Sequence, residues 1–339
     1  MVSLKDKKIL LICARFFGYE HEIQMRLKEL GASVDFFDQR PSNSFLTKVL
    51  IRINNKFLTN TIKRYYSQLI KQTKATQYDY VVFISPEVIT KDLFLQLKAT
   101  QENAEFILYM WDSFSNKSKN IIDIVSLFDF RYSFDKTDCA KPAYDLRYRP
   151  LFFLNAYSKV SNEKGKEYDL LFIGTIHSDR YTILSKLRDT CERTKLTHFY
   201  YMFFPSKILF YLKRIVDPSL WKTRFSEFRF DALKKNEIME YLEKSRVVID
   251  IQHPSQIGLT MRTIEMIGAR RKLITTNTDI VNYDFYNPNN ICVIDRVNIK
   301  LDPDFFHTNM VPLDTVIYEK YSIDGWIKDL FSRNIGMNQ

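Results

Sequence analysis

Short, almost continuous apolar runs alternate along this chain with stretches whose apolar residues recur every three or four positions. The first series of runs predicts strands over Lys8–Ala14, Ser33–Phe37, Tyr80–Ser85, Glu105–Met110 and Asp129–Phe134. A second series follows over Tyr168–Gly174, Thr197–Phe203, Arg246–Ile251, Lys272–Thr276 and Asn290–Asp295. Strands that stay apolar on successive residues have both faces covered, so the pattern predicts an α/β chain with parallel sheets flanked by helices. The run Tyr78–Ser85 echoes Tyr168–Gly174, which suggests two related halves, and Arg149 to Gly165 reads as the linker between them. Expected segments are 1–156, 157–312 and 313–339, the last with a helix that presents Ile323, Trp326, Ile327 and Leu330 on one face and packs back near the junction. Ile9–Ala14 follows Lys5, Lys7 and Lys8 as the core of a secretory leader would, but it is short and is followed by Arg15, so it reads as the first strand.

Composition permits a large core, with 339 residues of which 45% are hydrophobic. The net charge of +10 is unevenly spread: no acidic residue falls between Asp38 and Asp79, while Arg40, Lys48, Arg52, Lys56, Lys63, Arg64, Lys71 and Lys74 do. Apolar residues at helical spacing share this window, giving a basic amphipathic region over about 40–74. Three readings stand: the solvated face of a core helix, a nucleic-acid patch, or a surface docking on anionic lipid through Lys48, Arg52, Lys56, Lys63 and Arg64. The absence of C2H2 spacing or an RNP1 aromatic motif sets nucleic acid behind the other two. A second aromatic and basic stretch, His198–Phe230, is interrupted by Pro205 and by charges, so it does not span a membrane. It reads as a helix packed between domains or one that lies on a membrane.

Eight glycines, at 18, 31, 165, 174, 258, 268, 325 and 336, spell neither G-x-G-x-x-G nor G-x-x-x-x-G-K-[ST], which sets aside P-loop NTPases and ordinary dinucleotide oxidoreductases. Four scattered cysteines without a C-x-x-C suggest a reduced cytoplasmic protein. Five histidines have no two-ligand spacing, so no metal site is expected. Asp302-Pro303-Asp304, a D-x-D after the last strand, reads as a turn.

The most informative segment runs from Ile249 to Ala269. A strand ends near Ile251, a polar loop with His253, Gln256 and Gly258 follows, and a helix begins near Thr260. Ligands of open α/β sheets sit at such strand ends, and the N–H groups of a helix start favour phosphate. Arg262 adds positive charge in the first turn, and Glu265, one turn on, suits a ribose diol.

These residues resemble the nucleotide-sugar-binding motif of GT-B glycosyltransferases, particularly group 1-like enzymes of bacterial capsule and lipopolysaccharide synthesis. In that family a loop and helix carry a glutamate to the donor ribose, and a strand opening on a basic residue follows, as Glu265 and then Lys272–Thr276 do here. The resemblance covers about residues 168 to 296. Ile257 stands where many members have an acidic residue, with Gln256 beside it as a substitute contact. The resemblance implies a GT-B fold of two Rossmann-like domains with parallel sheets facing across a cleft, acceptor-binding first and donor-binding second. It implies a nucleotide-sugar donor, a saccharide or lipid-linked saccharide acceptor, no cofactor and no metal, and surface polysaccharide synthesis on the inner face of the cell membrane. The other wall of the donor site is expected at Gly174, Thr175, His177 and Arg180. An inverting enzyme also needs a general base, for which Asp112, then Glu20 and His21, are the candidates. Two other functions remain open: a GT-B-like binding or scaffold protein without transfer activity, and a basic nucleic-acid-binding protein.

Overall fold

A computed structural model describes residues 3–44, 47, 50–51, 55–116, 120–161, 165–254 and 258–332. The chain divides into two compact units: Met1–Leu151 together with the segment from Ile323 onward, and Phe152–Ser322.

In the first unit, β1 (Lys8–Cys13), β2 (Ser33–Asp38), β3 (Tyr80–Ile84), β4 (Glu105–Met110), β5 (Phe130–Ser133) and β6 (Arg147–Tyr148) form a parallel sheet in the order β2-β1-β3-β4-β5-β6. Five of these follow the apolar runs, whereas β6, two residues at the edge, is too short to carry a pattern. Helices α1 (Tyr19–Glu29), α2 (Thr59–Thr73) and α3 (Lys91–Thr100) join successive strands. The turn from α1 into β2 needs Gly31, whose φ is +97° and where a Cβ would stand 2.9 Å from Lys5 Cα. Along α2, Ile62, Tyr66 and Leu69 pack into a core with Leu10, Ile12, Val81 and Phe83, while Lys63 and Arg64 face solvent. The apolar stripe of this basic helix is therefore spent on its own sheet. Lys48 and Arg52 lie outside the described residues, and Lys56 falls in the 3-10 turn Asn55–Leu58. The closing helix, Ile323–Phe331, buries Ile323, Trp326, Ile327 and Leu330, with the Trp326 ring 5.2 Å from that of Tyr109. Arg149 meets Asp329 at 2.7 Å, and Arg26 meets Asp324 at 2.8 Å.

In the second unit, β7 (Tyr168–Thr175), β8 (His198–Phe203), β9 (Phe228–Arg229), β10 (Ser245–Asp250), β11 (Lys272–Thr275) and β12 (Ile291–Val293) form another parallel sheet, ordered β12-β11-β10-β7-β8-β9. The chain winds outward from β7 one way to β9, returns to β10, and winds the other way to β12. This is the Rossmann order, whose reversal lies between β7 and β10. Helices α4 (Arg180–Thr194), α5 (Lys207–Val216), α6 (Lys235–Glu243) and α7 (Met261–Gly268) belong to this unit. Its core gathers Leu170, Phe172, Val247, Ile249 and Ile274 with Ile183, Leu184 and Leu187 of α4.

Three expectations are corrected. The echoing runs are β3, the third strand of its unit, and β7, the first of its own, so they share burial on both faces and not a structural position. The supposed linker is apolar and buried where it begins: Leu151, Phe152, Phe153 and Leu154 belong to the cores, and Phe153 bridges to Ser322. Asp302 is no simple turn residue, since it caps the short helix Pro303–His307 by accepting from the Asp304 N–H. Among the described residues, no helix is long and apolar enough to cross a membrane.

Candidate functional site

At the carboxyl ends of β7 and β10 the second unit assembles most of the residues expected to bind a donor. The Thr260 side chain caps α7, accepting from the Thr263 N–H at 3.2 Å. Its hydroxyl also donates to buried Asp250 at the end of β10, which receives a second hydrogen bond from Thr263 Oγ1 at 2.8 Å. One carboxylate thus ties the start of α7 to the strand before it. The start of that helix is thereby fixed at the sheet's reversal point.

Arg262 and Glu265 lie one turn apart on α7 and pair with each other at 3.1 Å. Arg262 also reaches the Ile173 carbonyl of β7 at 3.4 Å, so it spans the gap between the two strands. Glu265 is buried beside Tyr157, whose hydroxyl is pushed well up by burial and then by the neighbouring carboxylate.

Arg180, the first residue of α4, donates to the Ile251 carbonyl at 2.7 Å and to the Thr175 carbonyl at 2.9 Å. Its guanidinium clips the chain leaving β7 to the chain leaving β10. Burial, opposed by Asp250, lowers its pKa. At Gly174 a Cβ would come 3.0 Å from Phe172 Cζ, so a side chain there would press on that ring. His177 follows, 5.8 Å from His253 between ring centroids. Burial first, then the positive charge of Arg180, lowers the His177 imidazole to about 4, so it is neutral at physiological pH. Gly258 stands on the far side of the loop, its carbonyl 3.4 Å from Asn277 Nδ2. Gln256 and Ile257 lie outside the described residues.

Several residues that frame this site were not among those the sequence pointed to as donor-binding. Arg296, three residues after β12, grips Asp179 at 2.8 Å and the Gln252 carbonyl at 2.8 Å, bracing both loops. Lys213 of α5 sits 3.4 Å from the Ile176 carbonyl and contributes to the lowered His177. Gln252, 7% exposed, and Thr276, 5% exposed, follow the ends of β10 and β11. Among the described residues, Gln252 Oε1 and Thr276 Oγ1 have no hydrogen-bond partner. Buried polar atoms without partners are uncommon, and two at adjacent strand ends mark a place that can take a polar ligand.

No protein-family model matches the sequence, and no curated protein matches it. Solved structures do. A Candida albicans trehalose-6-phosphate phosphatase N-terminal domain superposes with a TM-score of 0.60 at 11% identity, covering 99% of each chain. An apo structure of OtsA gives 0.59 at 10% identity over 96% of this chain and 99% of its own. A glycosyltransferase from Rickettsia africae gives 0.53 at 12% identity over 96% and 88%. The fold is GT-B.

The first unit of this GT-B chain holds the candidate bases. Trp111 and Asp112 follow β4, and the Trp111 N–H is held by Ser85 Oγ at 2.9 Å. The rings of Phe16 and Tyr19 lie 5.7 and 6.4 Å from that of Trp111, enclosing this strand end in aromatic surface. Asp112 is half-buried there, and the N–H of Phe114, which opens the next 3-10 turn, is held by Asp138 at 2.7 Å. Glu20 accepts from the Phe16 N–H at 3.0 Å, closing its own loop, while His21 is exposed on α1.

Proposed function

We propose that this GT-B chain is a glycosyltransferase that moves a sugar from a nucleotide-diphosphate sugar to a saccharide acceptor, without a metal ion. The observation that carries the reading is the capped start of α7 beside Arg262, Glu265 and Arg180 at the reversal between β7 and β10. Negative charge grows on the departing diphosphate as the glycosidic bond breaks. Fixed amide donors and guanidinium groups at that point stabilise the transition state more than the ground state. In this reading Gly174, Thr175 and His177 border the diphosphate, with His177 neutral and able to donate a hydrogen bond, and Glu265 turns from Arg262 to the ribose. His253, Gln256, Gly258 and Thr260 complete the loop around the donor. Asp112 is the first candidate for the base that takes the acceptor's proton, with Glu20 and His21 behind it. That a glycosyltransferase is among the similar folds supports the reaction class. The proposal extends to a lipid-linked acceptor in bacterial surface polysaccharide synthesis, met at the anionic face of the cytoplasmic membrane. At α2, whose apolar stripe is buried, contact with that surface would be by charge and not by apolar insertion, through Lys63 and Arg64.

The test is a thermal-shift screen with UDP, GDP, dTDP, CMP and ADP on the native chain and on Glu265→Ala. A nucleotide held at 100 times its Kd adds about 2.7 kcal/mol of stability. One nucleotide is expected to raise the melting temperature, with the rise lost in the variant. A flat response to all five at millimolar concentration would sink the donor site and leave the fold as a scaffold.

A further inference from the structure

Helix α5 (Lys207–Val216) is held to the second unit chiefly by Phe210, whose ring packs 5.3 Å from Phe204 and 4.9 Å from Phe228. Its other large apolar side chains face out. Ile208, Tyr211, Leu212 and Ile215, at the i, i+3, i+4, i+7 spacing of a single face, together with Val216, are between 53% and 77% exposed. Trp221 is 59% exposed next to them, and Arg214 donates to its carbonyl at 2.8 Å, fixing it beside the helix. Scattered exposed apolar residues are ordinary, but six gathered on one helix face and its flank are not.

The charges around this face share one sign. Lys207, Lys222 and Arg224 are exposed and Arg214 half-exposed, while α5 contains no acidic residue. The nearest carboxylate, Asp217, is occupied by Ser219, at 3.1 and 2.6 Å from its N–H and hydroxyl, and lies 3.8 Å from Lys213. Glu227 is bound to Arg188 and to the Arg224 N–H. A second copy of the chain seated on this face would set these cations against their own counterparts, so charge disfavours self-association. An anionic bilayer meets both features: its interface accepts the aliphatic side chains, Tyr and Trp settle at headgroup depth, and Lys and Arg stems reach the phosphates.

We propose that α5 and Trp221 form the surface by which this protein docks on an anionic phospholipid membrane, lying in the interface without crossing it. The inference rests on the membrane part of the proposed function and is independent of the transfer chemistry. It also moves the contact away from α2, whose apolar stripe is buried.

The test is cosedimentation of the full chain with vesicles of phosphatidylcholine alone and of phosphatidylcholine with phosphatidylglycerol. The native chain is expected to bind the mixed vesicles preferentially. Leu212→Ser with Ile215→Ser should weaken that binding by about tenfold or more, since both the buried apolar area and the charges contribute. Lys207→Glu with Lys222→Glu should abolish the preference for phosphatidylglycerol, and Lys63→Glu with Arg64→Glu, the same change of charge on α2, should weaken binding less than either α5 pair. All the altered side chains are exposed, and equal urea midpoints would confirm that the variants fold. Native-level binding by the Leu212/Ile215 variant would overturn the assignment to α5 while leaving membrane association standing. No vesicle binding by the native chain would overturn both, whatever the nucleotide screen shows. Light scattering that shows a native dimer turned to monomer by the same pair would identify the occupant as a second copy and overturn the lipid reading.

Discussion

His177 shows how a side chain's surroundings set its chemistry. Its ordinary pKa is 6.5 and burial beside Arg180 brings it to about 4, so as the pH falls the unfolded chain takes up this proton first. The stability associated with it is complete above about pH 6.5 and is lost progressively towards pH 4. Urea midpoints of the native chain and His177→Gln, measured between pH 7 and 4.5, should therefore converge as the pH is lowered. Parallel curves would show that His177 is not held neutral by the fold. The residue types of the candidate site were legible in the sequence, because a strand end followed by a polar loop and a helix start is where open α/β sheets hold ligands. Their partners were not. Arg180 clips two carbonyls, one of them 71 positions away, and Arg262 pairs with Glu265 through a rotamer that spacing does not specify.

At the scale of elements, α7 is positioned from both ends. Thr260 holds its start to Asp250, and Gly268 at its end lies so close to Phe153 that a Cβ would stand 2.5 Å from Cγ and 2.9 Å from the Cβ of that ring. Thr260→Ala removes a cap and one of the hydrogen bonds of a buried carboxylate, which should cost about 2–3 kcal/mol in urea unfolding. Thr260→Ser keeps both bonds and should restore most of the loss. Failure of serine to rescue would mean that the methyl group, and not the cap, matters. Gly268→Ala forces the root of the Phe153 side chain aside, and a cost of about 1–3 kcal/mol is expected by the same measurement. A neutral result would show that α7 can slide. The cap was readable as a threonine ahead of a periodic helix. The glycine's role was hidden, because its neighbour in space is 115 positions earlier in the chain.

Across the whole molecule, the first unit is completed by the closing helix. Trp326 is buried on Tyr109, and Asp329 faces Arg149, whose side chain is only 3% exposed. Losing a buried tryptophan costs about 3–5 kcal/mol, and leaving buried Arg149 without Asp329, itself 35% exposed, adds a smaller penalty. Those losses approach the lower end of the stability of an ordinary domain, about 5–15 kcal/mol. A chain ending at Ser322 should lose the first unit's calorimetric transition while the second unit still melts cooperatively and keeps its nucleotide-dependent shift. An unchanged thermogram would refute this account of the closing helix.

What the sequence determined alone was local: ten apolar runs became strands, the central ones because they are covered on both faces, and the periodicity of α7 placed its start near Thr260. The tertiary structure decided which surfaces those elements meet. Helices α2 and α5 share a basic, acid-free amphipathic pattern, yet α2 buries its stripe against Leu10, Ile12, Val81 and Phe83 while α5 leaves its own in solvent. Periodicity says that a helix has an apolar face. Whether that face is covered depends on the sheet beneath it, built from residues far away along the chain.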